Sequence, residues 1–288
     1  MISALNRLVD LVEAHLGEVL DVDATARDLG TTEYHLRRMF SSLAGMPLSE
    51  YVRRRRMTVA AADVVRGDDL LSIAVRYGYG STEAFGRAFR AVHGSSPRDV
   101  REQGGPLRSQ PLLRFRLTVE GSIPMDTRIV DHPAFTLVGH AARVPLIHQG
   151  VNPHIRQHVA AIPAEEHARL RGLSNTEPRG LLAVSDDLDP DRAEGSELTY
   201  LHGVALSEGS AAPDDLDAIP VAPGTWAVFR ASGPYPDTLQ QLWAATATEW
   251  FPANRWRLRP GPEIVAVLER ADDFSTATTE LWLPVEPG

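Results

Sequence analysis

The stretch VDATARDLGTTEYHLRRMFSSL at residues 22–43, echoed by LLSIAVRYGYGSTEAFGRAFRAV at residues 70–92, decides the fold of the first third of this chain. In each copy an alanine is followed four residues later by a glycine, Ala26 with Gly30 and Ala74 with Gly78. The alanine lets two helices approach, and the glycine can take the φ > 0 conformation of a tight corner, so each copy reads as a helix-turn-helix. After each corner comes an apolar set at helical spacing, Leu36, Met39, Phe40 and Leu43 and then Phe85, Ala88, Phe89 and Val92, offset by 49 residues.

At about 100° per residue, those inward sets send Tyr34, Arg38 and Ser41 outward from the first helix, with Arg37 at the edge. The same geometry sends Glu83, Arg87 and Arg90 outward from the second, with Gly86 at the edge. A guanidinium can make a bidentate contact to the major-groove edge of guanine, which makes Arg38 and Arg87 the candidates for base reading. Residues 47–66 between the copies predict one long helix, opened by Pro47 and closed by Gly67. Roughly 20 residues at about 1.5 Å each span a length near the ~34 Å between successive major grooves. Its run Arg53-Arg54-Arg55-Arg56 cannot face one way on a helix. One or two, with Arg53 and Arg54 as candidates, are expected on DNA phosphate and the others on acids or the fold.

Residues 6–101 resemble the DNA-binding domain of the AraC/XylS family of bacterial transcription regulators, in its MarA/SoxS/Rob-like branch. The residues that carry the likeness are Ala26, Gly30, His35, Leu36, Arg38, Phe40, Gly45, Tyr51, Arg56 and Met57, then Ile73, Ala74, Tyr77, Gly78, Tyr79, Phe85, Arg87, Phe89 and Gly94-Ser95-Ser96-Pro97. The resemblance places base-reading positions on Tyr34, Arg37 and Arg38 in the first helix and on Thr82, Glu83, Gly86 and Arg87 in the second. Glu83 and Gly86 stand where the family often has polar donors. The first helix is therefore expected to supply most of the base specificity and the second to fix register on the duplex.

Charge divides the chain. Residues 1–110 carry 15 arginines against 14 acids, a net of +1, while residues 111–288 carry 14 against 24, a net of −10, which together give the −9 of the whole. The absence of cysteine excludes a disulfide framework and thiolate chemistry. No secretory n-region and no stretch of ~20 apolar residues is present, so a soluble cytoplasmic protein without membrane attachment is expected. The punctuation at Gln103-Gly104-Gly105-Pro106, with Pro111 and residues 121–124, marks a linker over 103–125, in which 113–119 could form a short strand. The domains are thus 1–102, DNA-binding, and 126–288, ligand-binding.

The second domain reads as another duplication. A strand over 127–144, a helix over 153–173 and strands at 180–185 and 197–206 are followed by a strand at 224–231, a helix at 236–251 and strands at 262–268 and 278–285. Two β-α-β-β repeats imply an antiparallel sheet with helices on one side and the other side open to form a cleft. The fold class is α+β in two domains, an all-α double helix-turn-helix followed by this antiparallel-sheet domain.

This half resembles the GyrI-like effector-binding domain through Ile219-Pro220, the run from Pro223 to Phe229, Gly233-Pro234-Tyr235 and the closing run from Thr279 to Val285. One departure stands out. Where the family often has a Glu and an aromatic after a Gly-Pro, this chain has Gly261-Pro262 followed by Val265 and Val267. In the last strand, alternation puts Leu281 and Leu283 on one face and Glu280 and Trp282 on the other. Glu280 and Trp282, with Trp226 and Tyr235, are the candidate ligand-binding residues, because a carboxylate among aromatic walls suits a lipophilic cation.

His154 and His158 share a predicted helix face, but nothing completes a metal set and they read as solvated or packed. No phosphate-binding loop or nucleophile motif is present, and neither a cofactor nor a catalytic residue is expected. The expected function is a transcription regulator that binds promoter DNA, senses a small amphipathic, multidrug-type effector and contacts RNA polymerase. The alternatives for the second domain are hydrolysis of reactive, cyclopropane-bearing antibiotics, with Glu280 activating water, and a protein-interaction module.

Overall fold

The computed structural model describes residues 2–116, 125–147, 151–193, 195–271 and 275–288. The chain divides into two compact units, Met1–Leu117 and Thr118–Gly288.

The described residues of the first unit form seven helices: α1 (Ile2–Ala14), α2 (Val22–Asp28), α3 (Glu33–Ala44), α4 (Leu48–Arg66), α5 (Leu70–Arg76), α6 (Thr82–His93) and α7 (Pro97–Gln103). Asp21, Thr32, Asp69, Ser81 and Ser96 start five of them by accepting an otherwise orphaned backbone N–H on the side chain. Both corners form as the sequence requires: Ala26 and Ala74 are fully buried, and Gly30 and Gly78 take φ of 71° and 79°. The rod α4 is unbroken over 19 residues, about 28 Å long, with Pro47 as its cap and Gly67 closing it in the left-handed conformation. The loop after α1 is tied to both α4 and α5. Arg56 donates to the Glu18 carbonyl at 2.6 Å, and any Cβ at Gly17 would collide with the Arg76 carbonyl.

Residues 106–116 form no strand and instead strap the first unit. Gln110 donates its N–H to Thr58 Oγ1 at 2.8 Å and accepts from Arg55, while Phe115 and Asn6 exchange two bonds of 2.9 Å. Side chains of α1 and α4 satisfy this backbone, so the strand expected over 113–119 is absent from 113–116. Residues 117–119 of that expectation, and 121–124 of the expected linker, lie outside the described residues.

The described residues of the second unit build a nine-stranded antiparallel sheet: β1 (Asp126–His132), β2 (Phe135–Pro145), β3 (Leu181–Asp186), β4 (Glu197–Ser207), β5 (Asp217–Val221), β6 (Gly224–Pro234), β7 (Trp256–Leu258), β8 (Glu263–Arg270) and β9 (Thr276–Pro287). The strand order is β1-β6-β9-β8-β3-β4-β2-β5, with β7 added to β9. Both repeats are present, but the single strand expected over 127–144 is two. The chain breaks at Pro133, and β1 pairs with β6 of the second repeat while β2 pairs with β4 and β5. Reciprocally, β5, which precedes the second repeat, borders β2 of the first.

The helix expected over 153–173 is likewise broken, into α8 (Pro153–Ala161) and α9 (Ala164–Leu173). Ile162 precedes Pro163 and is driven out of the helical region, to φ −80° and ψ 123°. The second-repeat helix, α10 (Asp237–Ala245), continues through a π-helical turn at Thr246–Trp250 to a last turn at Phe251–Ala253. One face of the sheet takes the helices: Leu170 of α9 joins Val138, Val204 and Leu206, and Trp250 packs on Phe229. The opposite face, expected to be an open cleft, carries a buried cluster drawn from both repeats, including Phe135, Leu137, Leu182, Val184, Trp226, Val228, Ile264 and Trp282. Its apolar content drives that closure.

Candidate functional site

In the first unit α6 buries only Phe85, Phe89 and His93, and Glu83, Arg87 and Arg90 are exposed, with Thr82 and Gly86 half-buried beside them. Glu83, Gly86, Arg87, Arg90, Ala91 and Ser96 line a shallow depression on this surface. The helix thus presents two guanidinium groups and one carboxylate on one face, which can contact base edges and phosphate.

The equivalent helix α3 differs. Arg38 and Ser41, expected to point outward, are buried to 7 % and 4 % exposure. The Arg38 guanidinium folds along the helix to donate to Ser42 Oγ. Tyr34 and Arg37 are half-buried, and Arg37 Nε donates to Glu33 at 2.8 Å. The outward triad of the periodicity reading therefore does not stand open in this structure.

The four consecutive arginines of α4 separate as helix geometry demands. Arg53 and Arg54 are exposed and both pair with Glu50. Arg55 Nη2 meets Glu13 at 2.7 Å and Arg56 holds the loop after α1, so these two serve the fold. Arg53 and Arg54 line a groove with Arg108, beside Ala91 and Val92 of α6. Arg108 lies in the segment read as linker, and nothing in its local sequence pattern marked it; only the return of the strap along α4 places it there.

In the second unit the structure brings Glu280, Trp282 and Trp226 onto one sheet face. Leu281 and Leu283 take the other, as alternation predicts. Trp282 Nε1 donates to Glu280 Oε2 at 3.0 Å, and the two indole centroids are 6.3 Å apart. Both tryptophans have no solvent exposure, so they are walls of a closed cluster rather than of an open cleft. Tyr235 does not join them. It lies five residues beyond Arg230, the cross-strand neighbour of Glu280, about 16 Å along the strand direction, with its N–H bonded to the Ser275 carbonyl.

Two arginines that the sequence reading missed complete this face. Arg128 of β1 donates to Glu280 Oε2 and Glu177 Oε2, both at 3.2 Å, and its guanidinium carbon stands 4.9 Å from the Trp282 ring centroid. Arg259 lies over Trp226 at 5.4 Å, and burial lowers its pKa. No local pattern announces either residue, because each reaches its indole through strand pairing or a loop. Glu263, which does follow the Gly-Pro, faces the helix side and forms a buried pair with Arg192.

Where α8 and α9 cover the sheet, His158 of α8 and His167 of α9 meet His140 of β2 and His202 of β4. His158 Nε2 lies 3.0 Å from the His140 carbonyl, and the rings of His167 and His202 share a hydrogen bond of 3.1 Å. Burial first, then the neighbouring histidines, push His202 down to about 4. His154, by contrast, is exposed at the start of α8. Among the described residues no group of three His, Asp or Glu is placed to hold a metal ion, and no helix is long and apolar enough to cross a membrane.

Paired helix-turn-helix motifs on a rod, followed by a sheet domain with a buried carboxylate bonded to an indole, define a DNA-binding transcription regulator with a small-molecule-binding domain. Residues 25–103 match the helix-turn-helix domain model, and residues 125–286 match the GyrI-like small molecule binding domain. The chain belongs to the AraC-type helix-turn-helix regulators that carry a GyrI-like domain.

The first unit is similar to the HTH-type transcriptional activator AarP of Providencia stuartii, 35 % identical over 96 residues, 33 % of this chain and 71 % of that protein. It is also similar to the regulatory protein SoxS of Salmonella typhimurium, 30 % identical over 100 residues, 34 % of this chain and 94 % of that one. Among solved structures, SAV2435 bound to tetraphenylphosphonium matches 56 % of this chain and 94 % of its own, at 23 % identity and a TM-score of 0.43.

Proposed function

We propose that the chain is a one-component regulator that reads promoter DNA with α6 and α3 and couples that reading to a small amphipathic cation bound on the Glu280–Trp282 face. The observation that supports the DNA half best is the open face of α6. Arg87 and Arg90 stand in solvent there, where a guanidinium can meet guanine in the major groove. Thr82 and Glu83 flank them, and the half-buried Tyr34 and Arg37 supply the second contact from α3, which Arg38 and Ser41 join only by turning out of the covered positions they hold in this structure. Arg53 and Arg54, joined by Arg108, take phosphate, which adds affinity without sequence preference. RNA polymerase is the partner through which DNA binding becomes regulation.

Sensing, not hydrolysis, is the reading that the carboxylate supports. Glu280 Oε2 already accepts from Trp282 Nε1 and Arg128, so that oxygen is engaged in holding donors rather than facing a water. An effector regulates only if it binds one state of the protein better than another. The test is selection of binding sites from random duplex DNA by the wild type, Arg38→Ala and Arg87→Ala. Loss of a preferred base at one position in each variant is expected, and an unchanged selected sequence in both would sink the two-helix reading. Mass spectrometry of candidate effectors after incubation with the protein is expected to return them intact, and a hydrolysed product would transfer the second unit to the enzyme class.

A further inference from the structure

The cation seat on the buried face is already filled from within. Arg128 sits on the edge strand β1 opposite Val228, which in turn lies opposite Trp282 on β9. This row across three strands lays the guanidinium over the indole, at 4.9 Å, while its two terminal nitrogens reach Glu280 and Glu177 at 3.2 Å each. One planar cation thus receives an aromatic face and two carboxylates together.

We propose that Arg128 is a built-in surrogate ligand, and that effectors of this protein are planar, N–H-bearing cations of the guanidinium or amidinium class that displace it. The proposal rests on the reading of this face as the effector site. The exposures show which partner yields. The Arg128 side chain is 41 % exposed and that of Glu280 only 10 %, so the cation can swing into water and the carboxylate cannot. Left without Arg128, Glu280 keeps, among the described residues, the neutral Trp282 N–H at 3.0 Å, while its cross-strand neighbour Arg230 is exposed and makes no described ion pair with it, so a buried carboxylate is left calling for a replacement cation.

Shape then selects among cations. A compact ammonium supplies charge, but it cannot present a plane to the indole and two spaced donors to two carboxylates. Arg259 over Trp226 has no such freedom. It is pressed against Gly224, where any Cβ would collide with its guanidinium, so Arg128 is the displaceable cation of the two.

The test uses the full chain as wild type, Arg128→Ala and Arg128→Ala with Glu280→Gln, probed by thermal shift and tryptophan fluorescence. Methylguanidinium is expected to raise the melting temperature of Arg128→Ala and to quench its fluorescence, to do neither in the wild type or the double variant, and to outperform methylammonium. Benzamidine is expected to bind Arg128→Ala roughly tenfold more tightly than the wild type, since the half-exposed ion pair and ring contact no longer have to be broken first.

Absence of a methylguanidinium effect on a folded Arg128→Ala protein, or an equal effect on the double variant, overturns the seat. Methylammonium matching methylguanidinium overturns the planar selectivity. Benzamidine that binds neither protein while the methylguanidinium effect persists overturns the larger effector reading and leaves the seat standing. If Arg128→Ala does not fold, Arg128→Gln keeps the stem without the charge and carries the same measurements.

Discussion

Helices α3 and α6 hold equivalent places in the two helix-turn-helix motifs and are both 12 residues long, yet α3 buries six of its residues and α6 three. Phe40 of α3 is enclosed by Tyr51 of α4 and Phe115 of the strap, each with its ring centroid at 5.6 Å. In the second motif Phe89 meets Phe85 and His93, and the outer face stays open. The motif and its buried phenylalanine are shared, but the outer faces differ: Arg38 folds back to Ser42, while Arg87 stays in solvent. Periodicity locates the inward stripe of a helix and does not report how much of the remaining circumference is covered.

The enclosure of α3 breaks first at its aromatic centre. Phe40→Ala is expected to lower the unfolding free energy by about 3–5 kcal/mol, measured by urea denaturation, and to expose the strap to proteolysis. A loss below about 1 kcal/mol would show that the enclosure contributes little.

The α5–α6 half relies instead on a polar anchor. Asp63 is 5 % exposed and accepts from Tyr77 at 2.9 Å and Arg76 at 2.8 Å, with Arg66 beside it. Asp63→Ala, which strands the buried Tyr77 hydroxyl, is expected to destabilise by about 1.5–3 kcal/mol. Burial pulls the Asp63 carboxyl upward, but the Tyr77 and arginine contacts outweigh it and hold the pKa below the ordinary value of 3.8. A depressed carboxylate contributes its stability above the unfolded pKa and loses it as pH falls through the folded one. This anchor is therefore at full strength at neutral pH and fades only below about pH 4, a limb that Asp63→Asn should flatten in pH-dependent melting curves.

DNA binding sharpens the contrast further. Arg87→Ala is expected to cost about 1–3 kcal/mol of specific affinity with no change in melting temperature, because its side chain stands in solvent. Arg38→Ala should lower both affinity and melting temperature. Equal melting behaviour of the two variants, read by calorimetry beside gel-shift titrations, would erase the distinction between the helices. The smallest effect belongs to Arg54→Ala, expected to weaken binding alike on all duplexes and to reduce the salt dependence by about one counterion.

Much of this fold is legible in local sequence. Ala26, Gly30, Ala74 and Gly78 mark both corners, Pro47 and Gly67 bracket the rod, and alternation in β9 sorts Leu281 from Glu280. What stayed hidden depends on partners distant in the chain. The break at Pro133 separates two strands of similar composition whose partners, β6 and β4, only the assembled sheet supplies. Arg128 is unremarkable within β1, and its role follows from register with Val228 and Trp282, about 100 and 154 positions away. The burial of Arg38 was equally invisible, because helical angle alone gives it the same outward place as Arg87.

The crossed lead-in strands set an order of assembly. Since β1 finds its partner only in β6, and β6 in turn pairs with β9, the sheet's first-made strand waits for its last-made neighbours. Such non-local pairing closes slowly, whereas the helices of the first unit touch close neighbours in sequence and can form while the chain is still emerging from the ribosome. Each newly made molecule therefore passes through an interval with its helix-turn-helix unit complete and its GyrI-like sheet not yet closed. The rate of sheet closure fixes how long a nascent regulator carries its DNA-binding unit without a finished small-molecule-binding domain.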